Sequence, residues 1–226
     1  MIKINYEEAI KKPFTDMIKL IIGIVLSIVP VIHWLAKGFI LECSGLGKTK
    51  PSKKMPEWRD WGYLFMRGLV SDIILLIYAI PAILVFLVGA GTAIGSLAET
   101  GFMSEKSAGT VSQLISQNWY MALPTLLEIA PIMIFGFILL LIAFYLTPIA
   151  VLNYIKTKKF GEAFSLTKIT KKAFSADYFV VWLIVLILTA IVTIILSIIP
   201  AIGPQIAFFI TGVIAYSLYG QILRKV

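Results

Sequence analysis

Five apolar runs set the frame for this chain: Ile18 to Leu41, about Gly68 to Ala98, Met121 to Tyr154, Tyr178 to Ile199, and Gln205 to Leu223. A helix crosses the hydrocarbon core of a bilayer with about 20 apolar residues, so each run is long enough. The second and third are longer than that and carry Pro81, and Pro124, Pro131 and Pro148, respectively. They are expected to tilt, to kink at proline, or to extend beyond the bilayer. Composition agrees. The 226 residues are 59% hydrophobic and 14% charged, with mean hydropathy +0.94. A soluble domain carries roughly 45–50% apolar and about 25% charged residues, and one aqueous globule cannot hide the difference. The expected fold is all-α: a polytopic helical membrane protein of four to five spans. Residues 1–226 form a single membrane domain, with interfacial amphipathic helices.

The net charge of +8 would suggest nucleic acid in a soluble protein. Here the cations cluster in the short polar segments between apolar runs, where membrane topology and anionic headgroups account for them. Lipid is therefore the expected partner, together with a homo- or hetero-oligomeric contact, and nucleic acid is not. Lys48, Lys50, Lys53, Lys54 and Arg59 place the Gly45–Trp61 linker on the cytoplasmic side of the cell membrane. Lys156, Lys158, Lys159, Lys168, Lys171 and Lys172 do the same for the Lys156–Asp177 linker, and Arg224 and Lys225 for the C-terminus. Only Lys106 marks the Glu99–Asn118 linker, which is expected outside. Lys3, Lys11, Lys12 and Lys19 also pull the N-terminus inward. A hairpin turning at Pro30, re-entrant or partly inserted, satisfies every cluster and is the expectation. The alternative is an ordinary kinked span with its N-terminal lysines outside.

Two polar segments read as interfacial helices. In residues 3–17, Tyr6, Ala9, Ile10, Phe14 and Met17 recur on one face, Asn5 caps the start with Glu8 in capping-box position, and Pro13 interrupts. The functional reading is a helix in the headgroup plane; the other is a plain extension of the first apolar run. In Lys156–Asp177, Phe160, Ala163, Leu166, Ala173 and Phe174 share one arc and Lys168, Lys171 and Lys172 the opposite one. An echo links the two ends of the chain: Ile24–Ile32 reads IVLSIVPVI and Ile194–Ile202 reads IILSIIPAI. Both place a proline where a hairpin would turn.

Several signatures together resemble domain-of-unknown-function family 4013, a group of mainly archaeal membrane proteins. They are Pro56-Glu57-Trp58 with Trp61, then Phe65, Gly68 and Tyr78-Ala-Ile-Pro81, then Phe160-Gly-Glu-Ala-Phe164, Trp182, and Ile199-Pro200-Ala-Ile-Gly203 before Tyr216. Met55 and Arg59 stand where the family pattern has Leu and Asp, so a shared acidic cluster is not carried over. The resemblance implies fold and location, and brings no activity.

Candidate sites are few. His33, Lys37, Asp72 and Glu128 are the polar residues expected within the membrane, with Lys37 the candidate partner of Asp72, and intramembrane ionisable groups are functional candidates by default. Against that, a lone His near an interface is commonly structural, and Glu128 reads more readily as a hydrated helix-end carboxylate. Arg67, at the entry of the second run, is expected to snorkel. Trp58, Arg59 and Trp61, with Lys168, Lys171 and Lys172, are candidate contacts to the interface and its lipids. The Trp pair reads as an anchor with apolar rings and wet N–H groups. Gly89-Ala-Gly91 and Gly95 are expected to permit close helix packing. One histidine excludes two-His metal motifs, and the single Cys43 excludes an intramolecular disulfide. No phosphate-binding glycine loop or nucleophile elbow occurs, no cofactor is expected, and no cleavable signal peptide is evident. The expected function is non-enzymatic, organising lipid or partners. The alternative is a transporter or channel component using Glu128 and Asp72.

Overall fold

A computed structural model describes residues 4–99 and 111–224, with side chains described except at 97, 99 and 111–122. Residues 100–110 of the Glu99–Asn118 linker, Lys106 among them, lie outside the described residues, as do Lys3 and Lys225. The described chain is helical, without strands: α1 (Tyr6–Lys11), a 3-10 turn (Lys12–Thr15), α2 (Met17–Ile28), α3 (His33–Glu42), α4 (Trp61–Glu99), α5 (Val111–Thr157), a 3-10 turn (Phe160–Phe164), α6 (Leu166–Ala173), α7 (Ala176–Leu196) and α8 (Gly203–Arg224). Among the described residues, four helices are long and apolar enough to cross a membrane: α4, α5, α7 and α8. The chain forms two compact units, Met1–Leu75 with Tyr145–Val226, and Leu76–Phe144.

Local chemistry sets the helix starts. Asn5 Oδ1 accepts from the Glu8 amide at 3.0 Å and Asn5 Nδ2 donates to Glu8 Oε2 at 3.2 Å, so α1 opens on a reciprocal cap. Pro13 then ends α1 and starts the 3-10 turn, because its ring removes a donor and crowds the preceding turn. Asp16 accepts from the Lys19 amide and caps α2. Ser175 does the same for α7 through Tyr178.

The expected N-terminal hairpin is present. Arms α2 and α3 have 12 and 10 residues, too short for a span each. Lys12 Nζ, just before α2, donates to the Cys43 carbonyl just after α3 at 2.8 Å, so the chain has turned back on itself. The turn places Val31, immediately after Pro30, at φ 70°. The α7–α8 connection repeats this device: Ala201, immediately after Pro200, sits at φ 64°. The start of α7 then lies beside the end of α8, with the Tyr178 and Tyr219 rings 5.7 Å apart. The two sequence echoes therefore fold into the same proline-led left-handed turn.

The first unit is built around α3 and α8. Leu20 of α2, Ala36, Phe39 and Ile40 of α3, and Phe209 and Val213 of α8 form one buried cluster, joined by Cys43, Met55 and Leu64. In α8 67% of the apolar window is buried, against 6% in α7; α8 is the core helix and α7 faces outward with Phe179, Leu183, Ile187 and Ile191 exposed. A row of bare apolar side chains on α7 is costly in water and neutral in lipid. Helices α3 and α4 approach closely and run antiparallel. A Cβ on Gly38 would lie 1.9 Å from the Leu64 carbonyl oxygen, and one on Gly68 would lie 1.9 Å from that of Trp34.

The second unit is an antiparallel pair, the later part of α4 against the middle of α5. Gly89 lies against Met133 and Gly136 against Phe86. Of the three glycines expected to permit close packing, Gly89 does so, while Gly91 and Gly95 face open space. Pro81, Pro124, Pro131 and Pro148 all sit inside continuous helices, so these helices lengthen rather than break.

Candidate functional site

The charged residues that enter the apolar part of the first unit sit on α3 and α4. Helix α3 carries Lys37 and Glu42, and α4 carries Arg67 and Asp72; each pair is separated by five positions, with the cation first and the acid second on both helices. Antiparallel docking at Gly38 and Gly68 sets them face to face. At one end the Lys37 ammonium pairs with Asp72 Oδ1. Trp34 Nε1 donates to Asp72 Oδ2 at 2.8 Å, and His33 Nε2 lies 3.5 Å from the same oxygen. At the other end Arg67 Nη1 lies 3.2 Å from Glu42 Oε1, with side chains 4% and 3% exposed. Tyr63 donates its hydroxyl to Glu42 Oε1 at 3.1 Å, and the Thr49 amide donates to Oε2 at 2.9 Å. The Arg67 guanidinium lies over the Tyr63 ring, 4.4 Å from its centroid, and Nη2 reaches the Ile155 carbonyl at 3.5 Å.

Arg67 therefore does not snorkel. Glu42, at the end of α3, supplies a buried countercharge that makes the interior the better place for it. The Lys37–Asp72 pair expected from the sequence forms, and His33 joins it. Glu128 lies in the second unit, exposed, where Ser96 Oγ donates to its Oε2 at 3.0 Å. The four expected intramembrane candidates thus divide: His33 and Lys37 meet at the Asp72 carboxylate, and Glu128 has a separate partner.

The interfacial candidates divide as well. Trp58 turns inward and stacks on Phe39, ring centroids 3.9 Å apart and planes at 16°, and its indole N–H is buried without a partner among the described residues. The aromatic surface of Phe39 and Phe209 draws the ring away from the wet interface expected for it. Trp61 is exposed and stacks on Trp58 at 5.7 Å. Arg59 is exposed beside a small cleft of Glu42, Lys48, Asp60 and Tyr63. Lys48, 2.7 Å from Asp60, holds that carboxyl below its usual range. The Lys156–Asp177 linker is broken at Ser165 into a 3-10 turn and the eight-residue α6. Lys168 pairs with Glu162 at 2.9 Å and lowers its pKa; Lys172 donates to Asn153 Oδ1 at 3.2 Å, and burial lowers its own. Lys171 is exposed, as are Phe174 and Leu166.

Contacts also bring the basic segments to one side of this unit. The Asn5 amide donates to Gln221 Oε1 at 2.8 Å, Lys19 pairs with Glu57 at 2.7 Å, and Arg224 Nη1 donates to the Ser44 carbonyl at 3.2 Å. Ile155, at the end of α5, lies beside Arg67.

The fold defines a class: all-α, with four helices able to span a membrane and a short proline hairpin packed among them. Within that class the chain belongs to the family described as Protein of unknown function (DUF4013), which matches residues 21–201. Comparison with curated proteins and with solved structures gave no match.

Proposed function

We propose that this is a non-enzymatic integral membrane protein that gathers anionic lipid headgroups, or a membrane partner bearing such charge, at a basic cytoplasmic face. The observation that carries the reading is the convergence of α1, the Gly45–Trp61 linker, the end of α8 and the end of α5 on one side of the first unit. Beside those cations lie exposed Ile10, Phe14, Met17 and Ile18, which suit an amphipathic segment at the headgroup boundary. Each basic residue near an anionic surface contributes about 1 kcal/mol of attraction. The orientation follows from the rule that short basic loops stay inside. The acids of the first unit that a coupled carrier would need are held by cations: Asp72 by Lys37, and Glu42 by Arg67.

The test is lipid selectivity around the purified full chain in nanodiscs of mixed neutral and anionic phospholipid. Spin-labelled lipid is expected to show enrichment of the anionic species next to the protein, reduced by high salt and by Lys11→Gln with Lys171→Gln. Equal occupancy by neutral and anionic lipid at low salt would remove the reading.

A further inference from the structure

A cleft of about 240 Å³ opens where α1, the Pro51–Lys53 loop and the end of α8 meet, lined among others by Glu8, Lys12, Ser52, Lys53, Ser217 and Arg224. Three of these are cations and one is a carboxylate. Among the described residues, no carboxylate lies within ion-pair distance of Lys12, Lys53 or Arg224, and Glu8 accepts from Asn5 instead.

Lys12 is the informative member. It is 5% exposed, yet its hydrogen-bond partner among the described residues is one neutral carbonyl, that of Cys43 at 2.8 Å. A buried ammonium with no carboxylate in contact is expensive, and an ammonium has three N–H donors to satisfy. Burial lowers its pKa and the neighbouring Arg224 guanidinium adds to that, while the Glu8 carboxylate opposes them. Arg224 likewise uses Nη1 on the Ser44 carbonyl at 3.2 Å, leaving other donors of its fork. A structural duty exists: both residues cap the carbonyl end of α3. It explains one bond from each, and leaves the third cation and the open space unexplained.

We infer that this cleft is a phosphate-binding site, with Lys12 and Arg224 as its inner donors and Lys53 as its outer one. Three cations against Glu8 leave a surplus of two positive charges, the complement of a phosphomonoester of about −1.5 to −2. Ser52 adds a hydroxyl group at the wall, while Ser217 donates its own to the Cys43 carbonyl at 3.4 Å. The phosphate belongs to a lipid headgroup or is free in solution; the chemistry is shared. The site deepens the proposed function, since it supplies one stoichiometric position where that reading needs only a diffuse basic face.

Native mass spectrometry of the full chain in detergent, with added phosphatidic acid or phosphatidylcholine, reads stoichiometric binding directly. One saturable phosphatidic acid per chain is expected, with no matching phosphatidylcholine. Displacement by inorganic phosphate identifies a free-phosphate site; resistance to it identifies a headgroup site. Lys53→Gln, at an exposed position that makes none of the contacts above, is expected to fold normally and weaken binding about tenfold, the size of one charge-assisted contact. Lys12→Gln is expected to weaken it further, with folding checked by circular dichroism. Unchanged affinity in Lys53→Gln and in folded Lys12→Gln overturns the site. The diffuse reading fails separately, by equal occupancy of neutral and anionic lipid around the protein in nanodiscs at low salt.

Discussion

Single residues decide where charge can lie in this chain. Glu42 and Arg67 are both buried and neutralise each other, so removing one strands the other. Arg67→Met is expected to cost about 3–5 kcal/mol, read as a lowered unfolding midpoint in detergent. Arg67→Met with Glu42→Leu is expected to recover much of that loss, because no buried charge remains unpaired; a double variant as unstable as the sum of the two singles would refute the pairing. Lys12 gives a pH signature. Its folded pKa lies below its ordinary 10.5, so between the two values the unfolded chain holds more protons than the folded one. Stability then rises with pH through that window, and Lys12→Met is expected to flatten the rise in denaturation midpoints taken across it. The Lys37–Asp72 pair was legible because an acid deep in an apolar run demands a cation and Lys37 was the nearest unspoken for. The Glu42–Arg67 pair was missed because Glu42 stands at the end of a run, where it reads as solvated. The matching five-residue spacings, Lys37 to Glu42 and Arg67 to Asp72, were the available signal.

At the scale of elements, the prolines at turns were more informative than the prolines in helices. Pro30 and Pro200 end helices and are each followed by a residue at positive φ; inside α4 and α5, Pro81, Pro124, Pro131 and Pro148 end nothing. A helix inside a membrane keeps its hydrogen bonds because no water competes for them. Hydropathy therefore found the apolar centre of α5 at Met121–Tyr154 but not its hydrogen-bonded extent, Val111–Thr157. Sequence periodicity also drew one interfacial helix across Phe160–Asp177, where two elements now stand, since it does not register the break at Ser165. Left-handed backbone costs a side-chain-bearing residue about 1–2 kcal/mol, and a β-branched one is an outlier there. Val31→Gly is accordingly expected to raise the unfolding midpoint slightly. Gly38→Ala is expected to do the opposite and more strongly, because the new methyl meets the Leu64 backbone and no rotamer can move it aside. Equal midpoints for Gly38→Ala and wild type would mean α3 and α4 do not cross there.

At the scale of the whole chain, the topology turns on whether α2 and α3 cross. A hairpin that enters and leaves on one side adds no crossing, so four spans return the chain to the side it started from. Asn5, Ser52 and Thr167 then share one side, which the basic residues assign to the cytoplasm, and Ser107, outside the described residues, is expected opposite. Cys43 is buried, and Cys43→Ala supplies a background for single cysteines at those four positions. Labelling with a membrane-impermeant maleimide in intact cells should reach only position 107, and in inverted vesicles only 5, 52 and 167. Asn5→Cys labelled from outside while Ser52→Cys is protected would turn α2 and α3 into a single kinked span. It would also separate Lys12 from Lys53 and dismantle the phosphate cleft. Because the contacts of Asn5 with Gln221 and of Lys12 with Cys43 hold these segments together, the hairpin, the shared side and the cleft stand or fall on that one pair of labels.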